Sequence, residues 1–208
     1  NAHGVMSILE WLESLLPRGG ARPSAAPAGA PASPSAVPDA DTRDAFDAGL
    51  AAYASREYAT AIECFGRVIA VRHDDADAHN NLGLSQLALG NGVDALDSFV
   101  LALHFRPQFT QAFYNMALAA YQLRDLRQVV TSLERALELQ PDYAAAHNML
   151  GYVLSHEAGE FERGAAHIRR ALELAPADPD VRCNYSAILT QEGHAAQALA
   201  ICDELLAA

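Results

Sequence analysis

The chain has 208 residues, a formal net charge of −12 and 51% apolar side chains, a balance typical of globular proteins of one or two domains. No apolar run reaches the roughly 20 residues of a membrane-spanning helix. The 14 Lys and Arg residues are scattered, with Arg169-Arg170 the single adjacent pair, which argues against a nucleic-acid surface, because counterion release needs a clustered basic face.

In chain order, residues 1–19 hold a short amphipathic helix. Ser7-Ile8-Leu9-Glu10 is a capping box, with Met6 and Trp11 placed as its hydrophobic staple. Ile8, Leu12, Leu15 and Leu16 make one stripe with Leu9 and Trp11 beside it, and Pro17 closes the segment. About nine residues are too few to be stable alone in water, and a polar face without basic residues is wrong for a membrane surface. The expected role is docking on protein, within the chain or between two copies. Residues 20–41 are rich in Pro, Ala and Ser, a composition that builds no core, and read as a linker.

From residue 42 onward a unit of 34 residues recurs. Gly49, Gly83, Ala117 and Gly151 stand 34 apart, and so do Pro107 and Pro141. Between them run Ala61, Ala95 and Val129, then Phe65, Phe99 and Leu133, then Val68, Ala102 and Ala136, in the same register. Each unit reads as two helices. Ala78, Leu82, Ser85 and Leu89 share one face at spacings of three and four, Gly90-Asn91-Gly92 interrupts, and Ala95, Phe99, Ala102 and Leu103 resume. The small rows allow the two helices to approach closely. Five units follow, at 42–75, 76–109, 110–143, 144–178 and 179–208. The fourth is one residue longer, since Gly151 to Ser186 and Pro141 to Pro176 are 35 apart, and the extra residue is expected in the inter-helix turn near Ser155 to Phe161. Gly164, in an alanine row, is expected to loosen its helix by about 1 kcal/mol. The last unit stops short of its proline, so the chain is expected to be part of a longer protein or to pack its end on a partner.

These rows resemble the tetratricopeptide repeat, in which Leu-Gly, Ala, Phe, Ala and Pro recur at fixed offsets. Leu82-Gly83, Ala95, Phe99, Ala102 and Pro107 match closely. The resemblance implies an all-α, right-handed solenoid of five helix pairs, with the first helix of each pair lining a concave groove that binds a protein or peptide. Carried over by position, the groove residues are Phe46, Asp47, Leu50 and Tyr53, then Asn80, Asn81, Leu84 and Leu87. Tyr114, Asn115, Leu118 and Tyr121 follow, then Asn148, Met149, Tyr152 and His156, and finally Cys183, Asn184, Ala187 and Gln191.

Asn81, Asn115 and Asn184 share one place in their repeats. An amide both donates and accepts, so such a row can follow an extended peptide backbone regardless of its side chains. This is similar to the substrate-binding arm of O-linked N-acetylglucosamine transferases, although Asp47 and Met149 interrupt the row here. Arms that clamp a chaperone's C-terminal carboxylate use cations at places that here hold Phe46, Leu50, Asn81, Gln111 and Asn115, so that mode is not expected.

No P-loop, nucleophile elbow or paired metal ligands stand in the sequence. Cys64, Cys183 and Cys202 have no metal or disulfide spacing, which suits a reducing, cytoplasmic setting. The reading is a non-catalytic interaction scaffold without cofactor, metal, nucleic-acid or membrane partner. Two alternatives stay open: the arm of a larger glycosyltransferase, or an assembly factor forming homo-oligomers through its last repeat.

Overall fold

The structure, a computed structural model, describes residues 40–207. The stripe of Ile8, Trp11, Leu12, Leu15 and Leu16 lies outside the described residues.

Ten α-helices and one π-helical segment follow one another in antiparallel pairs, with no strand among the described residues. The first pair is α1 (Ala40–Ala54) and α2 (Tyr58–Val71), the second α3 (Ala76–Ala88) and α4 (Gly92–Phe105). The third is α5 (Thr110–Gln122) and α6 (Leu126–Leu139). The fourth joins α7 (Ala144–Tyr152), the π-helical Val153–Glu157 and α8 (Phe161–Leu174), and α9 (Pro179–Gln191) with α10 (Ala195–Ala207) makes the fifth. Helix α1 begins at Ala40, just inside the segment read as linker.

Start signals are local. Asp75, Asp125 and Asp178 accept hydrogen bonds from backbone amides two or three residues on and cap α3, α6 and α9, while Pro179 occupies the first turn of α9, where its missing N–H costs nothing. Between the helices of every pair lies a three-residue turn whose central residue has positive φ: Arg56 at 62°, Gly90 at 86°, Arg124 at 63°, Gly159 at 72° and Gly193 at 84°. Three units place glycine there, for which the left-handed region carries no Cβ penalty.

Pair packing is set by two complementary rows. A Cβ on Gly83 would lie 2.6 Å from the ring of Phe99, and one on Gly49 2.8 Å from that of Phe65. Where the glycine row holds Ala117 or Ser186, the opposing residue shrinks to Leu133 or Cys202. Every helix packs on its sequence neighbours, and α1 on α3, α3 on α5 and α7 on α9 also touch. The buried apolar residues form a large cluster from Leu87 to Leu154 with smaller ones at either side of it, and Ala61, Phe65, Ala95, Phe99, Val129, Leu133, Ala165 and Ile168 are fully buried. Stacking of this kind buries stripes that one pair cannot bury alone.

The extra residue of the fourth unit is accommodated differently from the sequence expectation. The turn 158–160 keeps three residues like the others, and the first helix is lengthened by the π-helical Val153–Glu157 instead. The bulge is closed by the Ala158 amide donating to the Val153 carbonyl over 2.9 Å. Gly164 fits this bulge: a Cβ there would lie 2.6 Å from both the Gly151 carbonyl oxygen and the Ser155 amide nitrogen. The packing of the bulge leaves no room for a larger residue there.

Candidate interaction surface

The candidate residues all lie on the first helices of their pairs, but they differ in access. Phe46, Leu50, Tyr53, Asn81, Leu84, Tyr152 and Asn184 are partly exposed. Asn80, Tyr114, Asn115, Leu118, Tyr121, Asn148 and Met149 are buried, covered by the neighbouring repeat.

The amides sort into two arrangements. Asn115 Nδ2 donates to Asn80 Oδ1 over 2.9 Å, and Asn184 Nδ2 to Asn148 Oδ1 over 2.9 Å. Each bond joins the fifth place of one repeat to the sixth of the next, tying repeat two to three and four to five. Asn81 turns back to the Asp77 carbonyl at 2.8 Å. Met149 cannot make such a bond, and it packs in the same buried cluster as Tyr114. One face of Asn81 and of Asn184 remains available to solvent.

The aromatic members pack in pairs. Phe46 meets Phe65 edge-on at 5.5 Å and Tyr53 meets Tyr58 at 5.4 Å. The Tyr53 hydroxyl is buried with no hydrogen-bond partner among the described residues, and burial pushes its pKa up, with Tyr58 adding to the shift. Tyr114 lies 5.2 Å from Tyr143. Its phenol is also held well above the usual range, first by burial, then by Tyr143 and by the carboxylates of Asp180 and Asp178. Tyr121 donates to Glu157 Oε1 at 3.1 Å and meets Tyr152 edge-on. Tyr152 in turn stacks on His156 at 4.9 Å. Glu157 is not among the residues expected from the repeat pattern. The 35-residue spacing is the sequence signal that points to it, because the inserted residue is what brings this carboxylate to Tyr121.

Charge on this surface is sparse and mostly internal. Arg106 forms a two-pronged pair with Asp77 at 2.8 and 2.5 Å, tying the end of α4 to the start of α3. Among the described residues no group of three His, Cys, Asp or Glu side chains is placed to hold a metal ion, and no helix is long and apolar enough to cross a membrane. The arrangement offers hydrogen bonding and apolar contact.

A family model described as tetratricopeptide repeat matches residues 46–108 and again 114–179. The peroxisomal targeting signal receptor of Eremothecium gossypii is 29% identical over 103 residues, which are 50% of this chain and 18% of that protein. The chain therefore spans less than a fifth of that relative. A thermophilic TPR protein of Thermus thermophilus superposes with a TM-score of 0.67 at 24% identity, covering 79% of this chain and 90% of the other. YrrB, described as a TPR protein with an unusual peptide-binding site, gives 0.62 at 19% identity over 80% and 85%. Helix pairs, row chemistry and family match agree: the chain belongs to the tetratricopeptide-repeat family.

Proposed function

We propose that the solenoid is a non-catalytic scaffold that holds a polypeptide segment in the groove formed by its first helices. The observation that carries this reading is the set of partly exposed residues Leu50 on α1, Asn81 and Leu84 on α3, Tyr152 on α7 and Asn184 on α9, apolar and amide groups on the first helices flanking α5, whose expected groove residues are buried. The relative's name describes a receptor for a targeting signal, and that of YrrB a peptide-binding site; both support a polypeptide ligand. Asn80, Asn115 and Asn148 act in this reading by setting the spacing of the repeats rather than by touching the ligand.

Affinity capture with the wild-type chain and with the Asn81→Ala/Leu84→Ala double variant, followed by titration of each captured protein, tests the reading. Loss of two partly exposed contacts is expected to weaken groove ligands by about tenfold or more. Equal affinity for both forms would place the binding surface elsewhere. The N-terminal stripe of Ile8, Trp11, Leu12, Leu15 and Leu16 is proposed as an internal competitor for the same groove. Trp11 is the single tryptophan, so its emission is expected to shift red when a ligand binds.

A second reading is favoured by α10. Leu199 and Leu206 are 62% and 87% exposed, whereas Leu96 and Leu103 at the same places of the second repeat are packed against the core. This face suits assembly with another copy, and Leu206→Glu is then expected to reduce the mass measured by light scattering. An unchanged mass would reject it.

A further inference from the structure

The corner where repeats three and four meet deepens the groove reading and rests on it. We propose that this corner, where the exposed Glu157 rests on the buried Tyr121 next to Tyr152 and His156, receives an arginine side chain of a basic polypeptide ligand.

The π-helical turn creates the site. It sets Glu157 beside Tyr121 of the preceding repeat, where the carboxylate accepts one phenol hydrogen bond at 3.1 Å. A carboxylate has about four acceptor directions, and the side chain keeps 27% of its surface exposed. Its negative charge is met by a neutral hydroxyl and by one guanidinium at a distance. That guanidinium belongs to Arg124, 3.7 Å from Glu157 Oε1 and 5.7 Å from the centre of the Tyr121 ring. Both values are near the outer limit of ion-pair and cation–π contact. Arg124 is tied to the inter-helix turn by its left-handed backbone at φ 63° and stays 56% exposed. The corner thus already holds one long ion pair to a guanidinium, and the remaining acceptor directions of Glu157 are where a second one would bind.

On the same helix as the carboxylate, Tyr152 and the exposed His156 are stacked at 4.9 Å with 19° between their planes, which leaves an aromatic face on the outer side of the pair. A guanidinium can place its fork on a carboxylate while its plane lies over an aromatic face, which a compact ammonium cannot do as well. The surrounding charge agrees. The cations of the neighbouring helices are engaged, Arg163 on α8 with Glu160 and Glu134 and Arg182 on α9 with Glu204. With a net charge of −12 for the whole chain, a basic ligand would be drawn in at long range.

The test is selection of random dodecapeptides on phage against the wild-type chain, with every clone re-measured on three variants. Asn81→Ala/Leu84→Ala identifies groove-dependent clones. Glu157→Gln removes the charge but keeps an acceptor for Tyr121, so the fold is retained, as an unchanged far-UV circular dichroism spectrum would verify. Glu138→Gln alters a carboxylate on α6, outside the corner. Groove-dependent clones are expected to be enriched in arginine, to lose about tenfold in affinity on Glu157→Gln and to lose under about twofold on Glu138→Gln. Groove-dependent clones without arginine, or with equal losses on both glutamine variants, overturn the inference and leave the groove reading standing. Absence of any groove-dependent clone overturns both.

Discussion

At the scale of single residues, the second and third repeats fill the same contact with different pairs, glycine against phenylalanine in one and alanine against leucine in the other. Gly83 faces Phe99 and Gly49 faces Phe65, while Ala117 faces Leu133 and Ser186 faces Cys202. Because Phe99 is fully buried, its ring has no room to retreat from a new Cβ 2.6 Å away. Gly83→Ala is therefore expected to destabilise by about 2 kcal/mol, within the range for overpacking. Phe99→Leu alone is expected to cost at least about 1 kcal/mol through the void it leaves. The double variant reproduces the third repeat and is expected to be more stable than the sum of the singles implies. Urea denaturation of all four proteins measures this coupling, and strict additivity would refute it. The turn row offers a second check. Gly90→Ala places a Cβ at φ 86° and is expected to cost about 1 kcal/mol, whereas Arg56→Gly relieves the same strain and is expected to be neutral or mildly stabilising.

At the scale of elements, the fourth repeat departs from the others through one residue. An inserted residue can lengthen the turn or bulge the helix. Here the turn keeps its length and its left-handed central residue, while its amides reach one residue further back than in the other repeats, Ala158 to the Val153 carbonyl and Glu160 to the Leu154 carbonyl, so the helix absorbs the change as a π turn. The bulge needs room, and Gly164 provides it. Alanine is normally the better helix former by about 1 kcal/mol. Gly164→Ala is nevertheless expected to destabilise by about 2 kcal/mol, because the contacts at 2.6 Å are to backbone and not to a flexible side chain. A midpoint in urea equal to or above that of the wild type would show that the bulge yields. The amide pairs belong to the same scale. Asn80 with Asn115 and Asn148 with Asn184 are ties between repeats, so Asn115→Leu is expected to leave an unpaired Asn80 and lower stability by about 1–3 kcal/mol.

For the molecule as a whole, a partly buried histidine contact makes stability depend on pH. His147 and His167 meet through their Nδ1 atoms at 2.9 Å, and His147 Nε2 lies 3.0 Å from the Pro141 carbonyl. Burial, then His147, then Arg163 lower the pKa of His167 to about 4. The unfolded chain binds this proton near pH 6.5, so between about pH 6.5 and 4 it holds more protons than the folded one. The stabilisation is complete above that window and is lost as pH falls through it. Urea midpoints measured from pH 7.5 to 4.5 are expected to fall, and His167→Gln is expected to flatten the curve. A curve of unchanged slope in that variant would assign the effect to other groups.

Much of this architecture is legible in the sequence. Row spacing specifies helix pairs, because a 34-residue recurrence of small, aromatic and proline positions satisfies a two-helix unit that buries its stripe only by stacking. Proline, aspartate and glycine mark local boundaries, since capping and left-handed turns depend on a few neighbouring residues. What tertiary structure decided is contact between units. Half of the candidate groove residues are covered by the next repeat, Asn115 and Asn184 reach back to other asparagines, and Glu157 meets Tyr121 across a repeat boundary. Periodicity names the face of a helix on which a residue stands. How closely the next unit stacks on that face, and whether an inserted residue enters a turn or a bulge, depends on the packing of side chains from several repeats at once, which no single repeat contains.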